Sequence, residues 1–298
     1  MNLTIPSSLL RAHKFMVTQA SRLWSFFPQQ PQAIRLRHHF YTGQLAATVS
    51  LNRYLCIALI GLCGSIASAQ YTTLDLIQQR GAIQFGIDPN NLPFSSTTNE
   101  PPGFDIEIAQ VIAKHLGVSC QFVWLRAQHP SFPGQLMRKK CDALIGVATQ
   151  AFAKNDGIAM TRPYLGNGFV FALARGSQLD RTKPVGVEPG VVRTEGHLAN
   201  TRDYPSQAAI LGAIAKGEIA AGYVGAVQAG WTLKNQPDWQ IELSKEQPRD
   251  HWNFAVAVRK RDTELKAALD KIIQQMLDQN EIEPILKKYG IPFYPPFQ

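Results

Sequence analysis

The residues able to bind a small ligand sit where strand-forming runs end. The alternating run Ile83-Gln84-Phe85-Gly86-Ile87 breaks into Asp88-Pro89-Asn90-Asn91-Leu92-Pro93-Phe94. Open α/β sheets bind ligands beyond the carboxyl ends of such strands. Asp88 either lines a cleft or accepts backbone N–H bonds within the turn. Asn91 shares the loop, and Phe94 either packs beneath it or touches ligand. A second set follows the apolar run Ala143 to Val147: Gly146 inside it, then Thr149, whose hydroxyl both donates and accepts, and Lys154, a cleft cation or a solvated helix residue. Arg162 precedes Pro163 and is read first as a surface or interlobe ion-pairing residue, second as a cleft cation. Glu188 and Gly190 open a later unit. Backbone N–H groups near a helix start can hold anions, but the carboxylate of Glu188 opposes that. Gly225 ends the run Glu218 to Val224, and Tyr223 before it reads as core. No Ser/His/Asp order, phosphate loop or metal-spaced His/Cys cluster accompanies these residues. The expectation is a binder, with no catalytic residue, metal or cofactor. His129, His197 and His251 lack partner spacing and read as surface residues.

The elements that must position these groups alternate. Leu74 to Gln79 reads as a short helix stopped by Gly81. After the strand at 83–87, Phe104, Ile108, Ile112 and Leu116 recur on one helical face, and Gly117 stops it. Gln121 to Leu125 is a strand, Gly134 to Lys140 a short helix, and Ala143 to Val147 a strand. This β-α-β-α-β order implies a mostly parallel sheet with right-handed crossovers, in the order 2-1-3. A long strand follows at Phe169 to Ala174. A second, smaller unit comes next: a strand near 184–187, a helix from Gln207 to Lys216, and a strand from Glu218 to Val224. Another long strand, Asn253 to Val258, precedes a helix capped by Asp262 and a last short helix from Glu281 to Tyr289. Two lobes joined by two long strands is the simplest arrangement, and such strands form a hinge. The expected boundaries are 70–170 for the first part of lobe 1, 171–252 for lobe 2 and 253–298 for the return to lobe 1.

The chain carries 30 Lys and Arg against 22 Asp and Glu, a net charge of +8. Location removes the obvious reading. Arg11, Lys14, Arg22, Arg35, Arg37 and Arg53 all lie in residues 1–69, which hold no Asp or Glu. The remainder is nearly neutral, so a nucleic-acid-binding face is not expected. Arg53, the apolar stretch Tyr54 to Ile66 and Ala67-Ser68-Ala69 form the parts of a signal peptide over 51–69, cleaved after Ala69. The apolar core is too short to span a bilayer comfortably, so no stable membrane insertion is expected after cleavage. Residues 1–50 read as a non-structural extension or a mis-assigned start. Past the signal, Cys120 and Cys141 remain. Cys120 opens one expected strand and Cys141 precedes the next, and those strands are not neighbours in a 2-1-3 sheet, which argues against a disulfide without excluding one.

Taken together, the strand and Pro/Asn loop at 83–94, Gly103-Phe104-Asp105 and the element order over 74–292 resemble periplasmic solute-binding proteins of family 3, the polar-amino-acid type. The resemblance implies an α/β fold of the type II periplasmic binding protein: two α/β lobes joined by two hinge strands, periplasmic and monomeric. In that family an Arg from one lobe forks onto the α-carboxylate of an amino acid, a strong and directional pairing, and an Asp from the other lobe meets the ammonium. Here the Thr and Arg positions of the first motif hold Ala151 and Lys154, and a Lys lacks the fork. The Asp position holds Gly225, and Asn91 and His129 stand where stacking aromatics are common. Tight binding of an ordinary amino acid is therefore not expected.

Asp88 to Ser95, Cys141 to Val147, Thr161-Arg162-Pro163-Tyr164 and Gly225 are similar to one branch, the substrate-binding-like proteins associated with quinoprotein (PQQ) dehydrogenases such as methanol dehydrogenase. Gly225 is followed by Ala226 where the branch commonly has Pro, and the aromatic stretch after the second strand is thin. The branch implies an accessory or maturation role beside a periplasmic quinoprotein dehydrogenase and its cytochrome. The alternative is a receptor that delivers a small polar solute to an ABC permease. A more remote alternative is a cyclic-acid dehydratase on the same fold, with Glu188 or Glu195 as the acid. A partner patch would involve Trp231, Trp239 or Trp252, each of which also reads as core.

Overall fold

The computed structural model describes residues 71–298 apart from 99, 127–131, 181, 192–197, 199 and 249. The expectations for residues 1–50 and for the signal segment therefore lie outside the described residues, as do those for His129, Glu195 and His197. Residues 68–298 form one compact unit.

Thr72 and Asp75 start helix α1 (Thr73–Arg80) with a reciprocal capping box, and Gly81 ends it at φ 67°. Strand β1 (Ala82–Ile87) leads into a two-residue pair, β2 (Asn90–Asn91) and β3 (Ser95–Ser96). Helix α2 (Phe104–His115), β4 (Ser119–Trp124), α3 (Phe132–Met137) and β5 (Ala143–Ala148) complete the first unit. β1 lies between β4 and β5 and pairs in parallel with both, which gives the expected 2-1-3 order. Buried on both faces, β1 sets Ile83, Phe85 and Ile87 against Phe104, Ile108 and Ile112 of α2. The opposite face of the sheet packs Leu144 and Val147 against Phe132 and Leu136.

The chain then runs through β6 (Ile158–Met160) into β7 (Leu165–Ala174). A second unit follows with β8 (Val185–Val187), β9 (Thr201–Asp203), α4 (Gln207–Ala215), β10 (Ala221–Gly225), α5 (Ala226–Lys234) and β11 (Ile241–Leu243). β12 (His251–Arg259), α6 (Thr263–Asp278) and α7 (Ile282–Lys288) return to the first. The two long strands join the sheets. β7 pairs with β12 over Leu165–Gly168, then with β10 over Phe169–Leu173. β12 pairs with β7 at its start and with β5 and β6 thereafter.

Several expected boundaries move for identifiable reasons. β7 begins at Leu165, four residues before the expected start, because Gly166 and Gly168 permit contacts that side chains would block. A Cβ on Gly168 would lie 2.6 Å from the Asp250 carbonyl oxygen, and one on Gly166 would lie 2.7 Å from that of Pro295. β10 starts at Ala221, not Glu218, since Glu218 N–H is held by Ala213 at 2.9 Å in the turn after α4. Helix α5 was not foreseen. Its Val227 and Trp231 pack on the core of the first unit, and Gly225 at its start and Gly230 inside it weaken its helical signature. Asp262 precedes α6 but makes no capping bond. Its carboxylate instead faces the buried Arg259 guanidinium at 2.6 Å and accepts the Thr73 hydroxyl at 2.9 Å, because a buried charge left unpaired costs more than a cap is worth. Trp231, Trp239 and Trp252 are half-buried against the cores. The exposed tryptophan among the described residues is Trp124.

Candidate functional site

The loop after β1 is tied down by its own polar groups. Asp88 Oδ1 accepts the Asn90 N–H at 2.9 Å, and the Asp88 carbonyl accepts the Ser95 hydroxyl at 2.7 Å. Phe94 packs against Phe104 and Phe254, with ring centroids 5.0 and 5.3 Å apart. The Phe94 carbonyl accepts the Asp105 N–H at 3.0 Å, which anchors the first turn of α2 beneath the loop. Asp88 and Phe94 thus each serve the loop and also line a cavity.

That cavity has a volume of about 220 Å3. Asp88, Asn91, Phe94 and Gly146 line it, together with Ser95, Asp105, Phe132 and Phe152, which sequence reasoning did not select. Asp105 is 1 % exposed. Its Oδ1 accepts the Tyr164 hydroxyl at 2.6 Å, and burial pushes its carboxyl up to about 7 against the opposing pull of that bond. Gly146 gives this carboxylate its place. Its φ is +75°, and a Cβ there would fall 2.3 Å from Asp105 Oδ2. The positive φ coincides with a bulge: Ala255 faces Val147 while Ala257 faces Leu144, so β5 carries one residue more than β12. In sequence, the signal was a glycine inside an apolar strand. Among the described residues, the cavity wall holds two carboxylates, three phenylalanines and no Lys, Arg or His.

The other expected residues fall elsewhere. The Thr149 hydroxyl turns to Gln150 at 3.3 Å, and Lys154 is exposed; neither lines this cavity. Arg162 binds helix α6, its backbone N–H donating to Asp270 at 2.6 Å and its guanidinium to Gln274. Arg162 is thus exposed and held against α6 by a carboxylate and a neutral amide, and it does not line this cavity. Glu188 and Gly190 line a second cavity of about 500 Å3 with Phe169, Asp250, His251 and Trp252. Tyr223 donates its hydroxyl to Asp250 at 2.7 Å. Gly225 lines neither cavity. Its N–H donates to Gln207 Oε1 at 2.9 Å, and that amide stands 3.3 Å from where a Cβ on residue 225 would be. The expected residues thus divide between two cavities and positions outside both.

Cys120, on β4, and Cys141, just before β5, are free thiols, and β1 lies between those two strands. Among the described residues, no group of three His, Cys, Asp or Glu side chains could hold a metal ion. Nor is any helix there long and apolar enough to cross a membrane.

Residues 83–292 match the family model of the bacterial extracellular solute-binding proteins, family 3. The chain is 28% identical over 231 residues to the histidine-binding periplasmic protein of Escherichia coli K12, covering 70% of this chain and 86% of that one. It is 27% identical over 235 residues to Protein MoxJ of Methylorubrum extorquens, covering 65% of this chain and 76% of that one. The L-cystine solute receptor of Neisseria gonorrhoeae, solved unliganded and open, superposes with a TM-score of 0.64 at 16% identity, over 72% of this chain and 97% of the receptor. That likeness is one of fold.

Proposed function

Because the chain belongs to the bacterial extracellular solute-binding proteins of family 3, we propose that it is an exported member that serves a quinoprotein (PQQ) alcohol or methanol dehydrogenase as an accessory or maturation partner. The carrying observation is the wall of the first cavity: among the described residues, Asp88 and Asp105 line it and no cation does. An amino-acid carboxylate placed there would meet carboxylates where it needs a guanidinium. At the position where the resemblance places the second half of an amino-acid clamp, residue 225 is Gly, and its N–H donates to the neutral amide of Gln207. Protein MoxJ, whose name specifies no amino acid, fits a chain outside the receptor set. The motifs at 88–95, 141–147 and 161–164 support the same reading. In this proposal residues 51–69 direct export and are removed after Ala69, the lobes divide near residues 170 and 252, the mature protein is a monomer, and it acts by contact with the dehydrogenase or its cytochrome. No chemistry on a substrate is assigned to it. Co-elution of the purified protein with the dehydrogenase on size exclusion, at micromolar concentrations, is the expected result. Separate elution, together with unchanged dehydrogenase maturation in a deletion strain, would overturn it.

A second reading has its own support. A 220 Å3 cavity at the end of β1 is a place for a small molecule, which favours a receptor that hands a polar solute other than a standard amino acid to an ABC permease. Uptake of labelled solute lost in the deletion strain, with dehydrogenase activity intact, would select this reading.

A further inference from the structure

We infer that the end of the first unit opposite the cavity is a docking surface for a protein that presents an acidic face, with Lys139, Lys140, Lys260 and Arg261 as its cations and Leu76 and Met137 as its apolar contacts. The inference rests on the accessory reading and names the surface through which the chain meets the dehydrogenase or its cytochrome.

Three observations carry it. The first is that two basic segments, far apart in sequence, are tied into one surface. The loop after α3 begins Arg138-Lys139-Lys140, and the turn after β12 holds Lys260-Arg261. Arg259 joins them and is 3 % exposed. Its Nη1 donates to the Leu136 carbonyl at 3.0 Å and to the Cys141 carbonyl at 2.9 Å, and its Nε faces Asp262 at 2.6 Å. The Lys260 N–H donates to the Gly157 carbonyl at 2.9 Å, and Met137 lies over the same glycine, where a Cβ would fall 2.8 Å from its terminal methyl. A buried guanidinium is tolerated only when it is paired and hydrogen-bonded, and those bonds hold the two segments side by side.

The second observation is uncompensated charge. Arg138, Lys139, Lys140, Lys260 and Arg261 are exposed, and none has an ion-pair partner among the described residues. Asp142 and Asp262 are taken by Arg80 and Arg259. The exposed acids of the same segments are Asp156 and Glu264, so cations are in excess. Lys139 stands at φ +58°, where glycine is the low-cost residue, so this turn carries its lysine against a conformational penalty.

The third is the apolar content. Met137 is 43 % exposed at the head of the basic loop. Leu76 is exposed too. It lies on the stripe of α1 between Thr73, which donates to Asp262, and Arg80, which pairs with Asp142. Short apolar contacts inside a charged rim are the make-up of a protein interface, and methionine adapts to a partner's shape. The exposed Trp124 ends β4 beside Ile87, at the cavity end, so this face lacks the tryptophan anchor of a membrane-surface site. β1 and β5 run from this end, after Arg80 and Asp142, to Ile87 and Ala148 in the cavity wall. A partner docked here does not cover the cavity.

The test uses protein purified after expression of the full chain, with the purified dehydrogenase and its cytochrome as separate probes, by interferometry at low and high salt. The expected result is saturable binding of one of them, weakened about tenfold or more by raising salt from about 20 to about 200 mM. Lys140→Glu/Lys260→Glu/Arg261→Glu should weaken it by about tenfold or more. Lys183→Glu/Lys216→Glu/Lys245→Glu, an equal charge change at exposed positions of the second unit, should leave it unchanged. Carbodiimide cross-linking of the parent protein, mapped by mass spectrometry, should join partner carboxylates to Lys139, Lys140 or Lys260, so the proposal stays testable if the first variant does not fold. Undiminished binding in that variant when folded, equal weakening by both triple variants, or cross-links confined to other lysines would overturn the inference and leave the accessory role standing. Binding of neither protein at low salt would overturn both. Binding of phosphatidylglycerol vesicles in place of either protein would assign the face to a membrane and overturn the inference.

Discussion

Replacing Asp105 by Asn should stabilise the ligand-free protein, by an amount that grows between pH 4 and pH 8. The folded carboxyl titrates near 7 against 3.8 for the ordinary group, with burial as the cause. Between those values the folded state holds a proton that the unfolded state has released, so stability falls as pH rises through the window. At 1.36 kcal/mol for each pH unit between the two titrations, the full loss is about 4 kcal/mol, and about 2–3 kcal/mol of it falls between pH 5 and pH 8. Asn is neutral throughout and retains an oxygen for the Tyr164 hydroxyl. The variant should therefore lack this component of the pH slope while keeping the contributions of every other carboxylate. For a unit of this size the difference corresponds to about 5–10 °C in Tm across that range. Parallel thermal melts of both proteins at pH 4, 5, 6, 7 and 8 read it directly, with the difference between the two curves as the observable. A difference that does not change with pH, or a variant less stable at pH 8 than at pH 5 relative to the parent, would refute the placement of Asp105 as a buried, under-compensated carboxylate.

Four further outcomes follow from the geometry. Gly230→Ala should cost about 1–3 kcal/mol, because its Cβ would fall 2.5 Å from the Gly290 carbonyl oxygen where α5 meets the turn after α7; urea unfolding measures it. Gln207→Ala removes the acceptor of the Gly225 N–H, a bond of 2.9 Å, and should lower stability by about 1 kcal/mol without affecting the pH slope assigned to Asp105. Asn253→Ala should expose the C-terminal segment to carboxypeptidase, since its amide both donates to and accepts from the Phe297 backbone at 2.8 Å; mass spectrometry of the digest reports the loss. Cys120 and Cys141 should alkylate on the order of a hundredfold more slowly than a free thiol at pH 8, because burial pushes their thiols up to about 12 and about 11. Equal rates in native and unfolded protein would contradict that.

The local signals of this chain were legible because they are short-range. Period-2 and period-3.6 apolar patterns are set by residues a few positions apart, and glycines 81, 117 and 217 stop elements through left-handed backbone that other residues resist. The order of those elements was enough for the fold class and for the 2-1-3 strand order around β1. The expectation that positions 154 and 225 do not supply an amino-acid clamp came from residue identity and the family resemblance alone. The site was only partly so. Asp88, Asn91, Phe94 and Gly146 could be chosen because they end or interrupt strands. Asp105 could not, because its place in the first turn of a helix of ordinary periodicity says nothing of the cavity beside it. Its character comes from Tyr164, distant in sequence, and from a bulge that turns Gly146 toward it. Arg162 could not be placed either, because the choice between cleft and surface depends on Asp270 and Gln274 of a helix that packs back from the end of the chain. Residue types and local periodicity determined which elements form and which chemistry is available. Tertiary structure alone decided which groups share a cavity, because burial and pairing energies arise only when segments far apart in the chain meet.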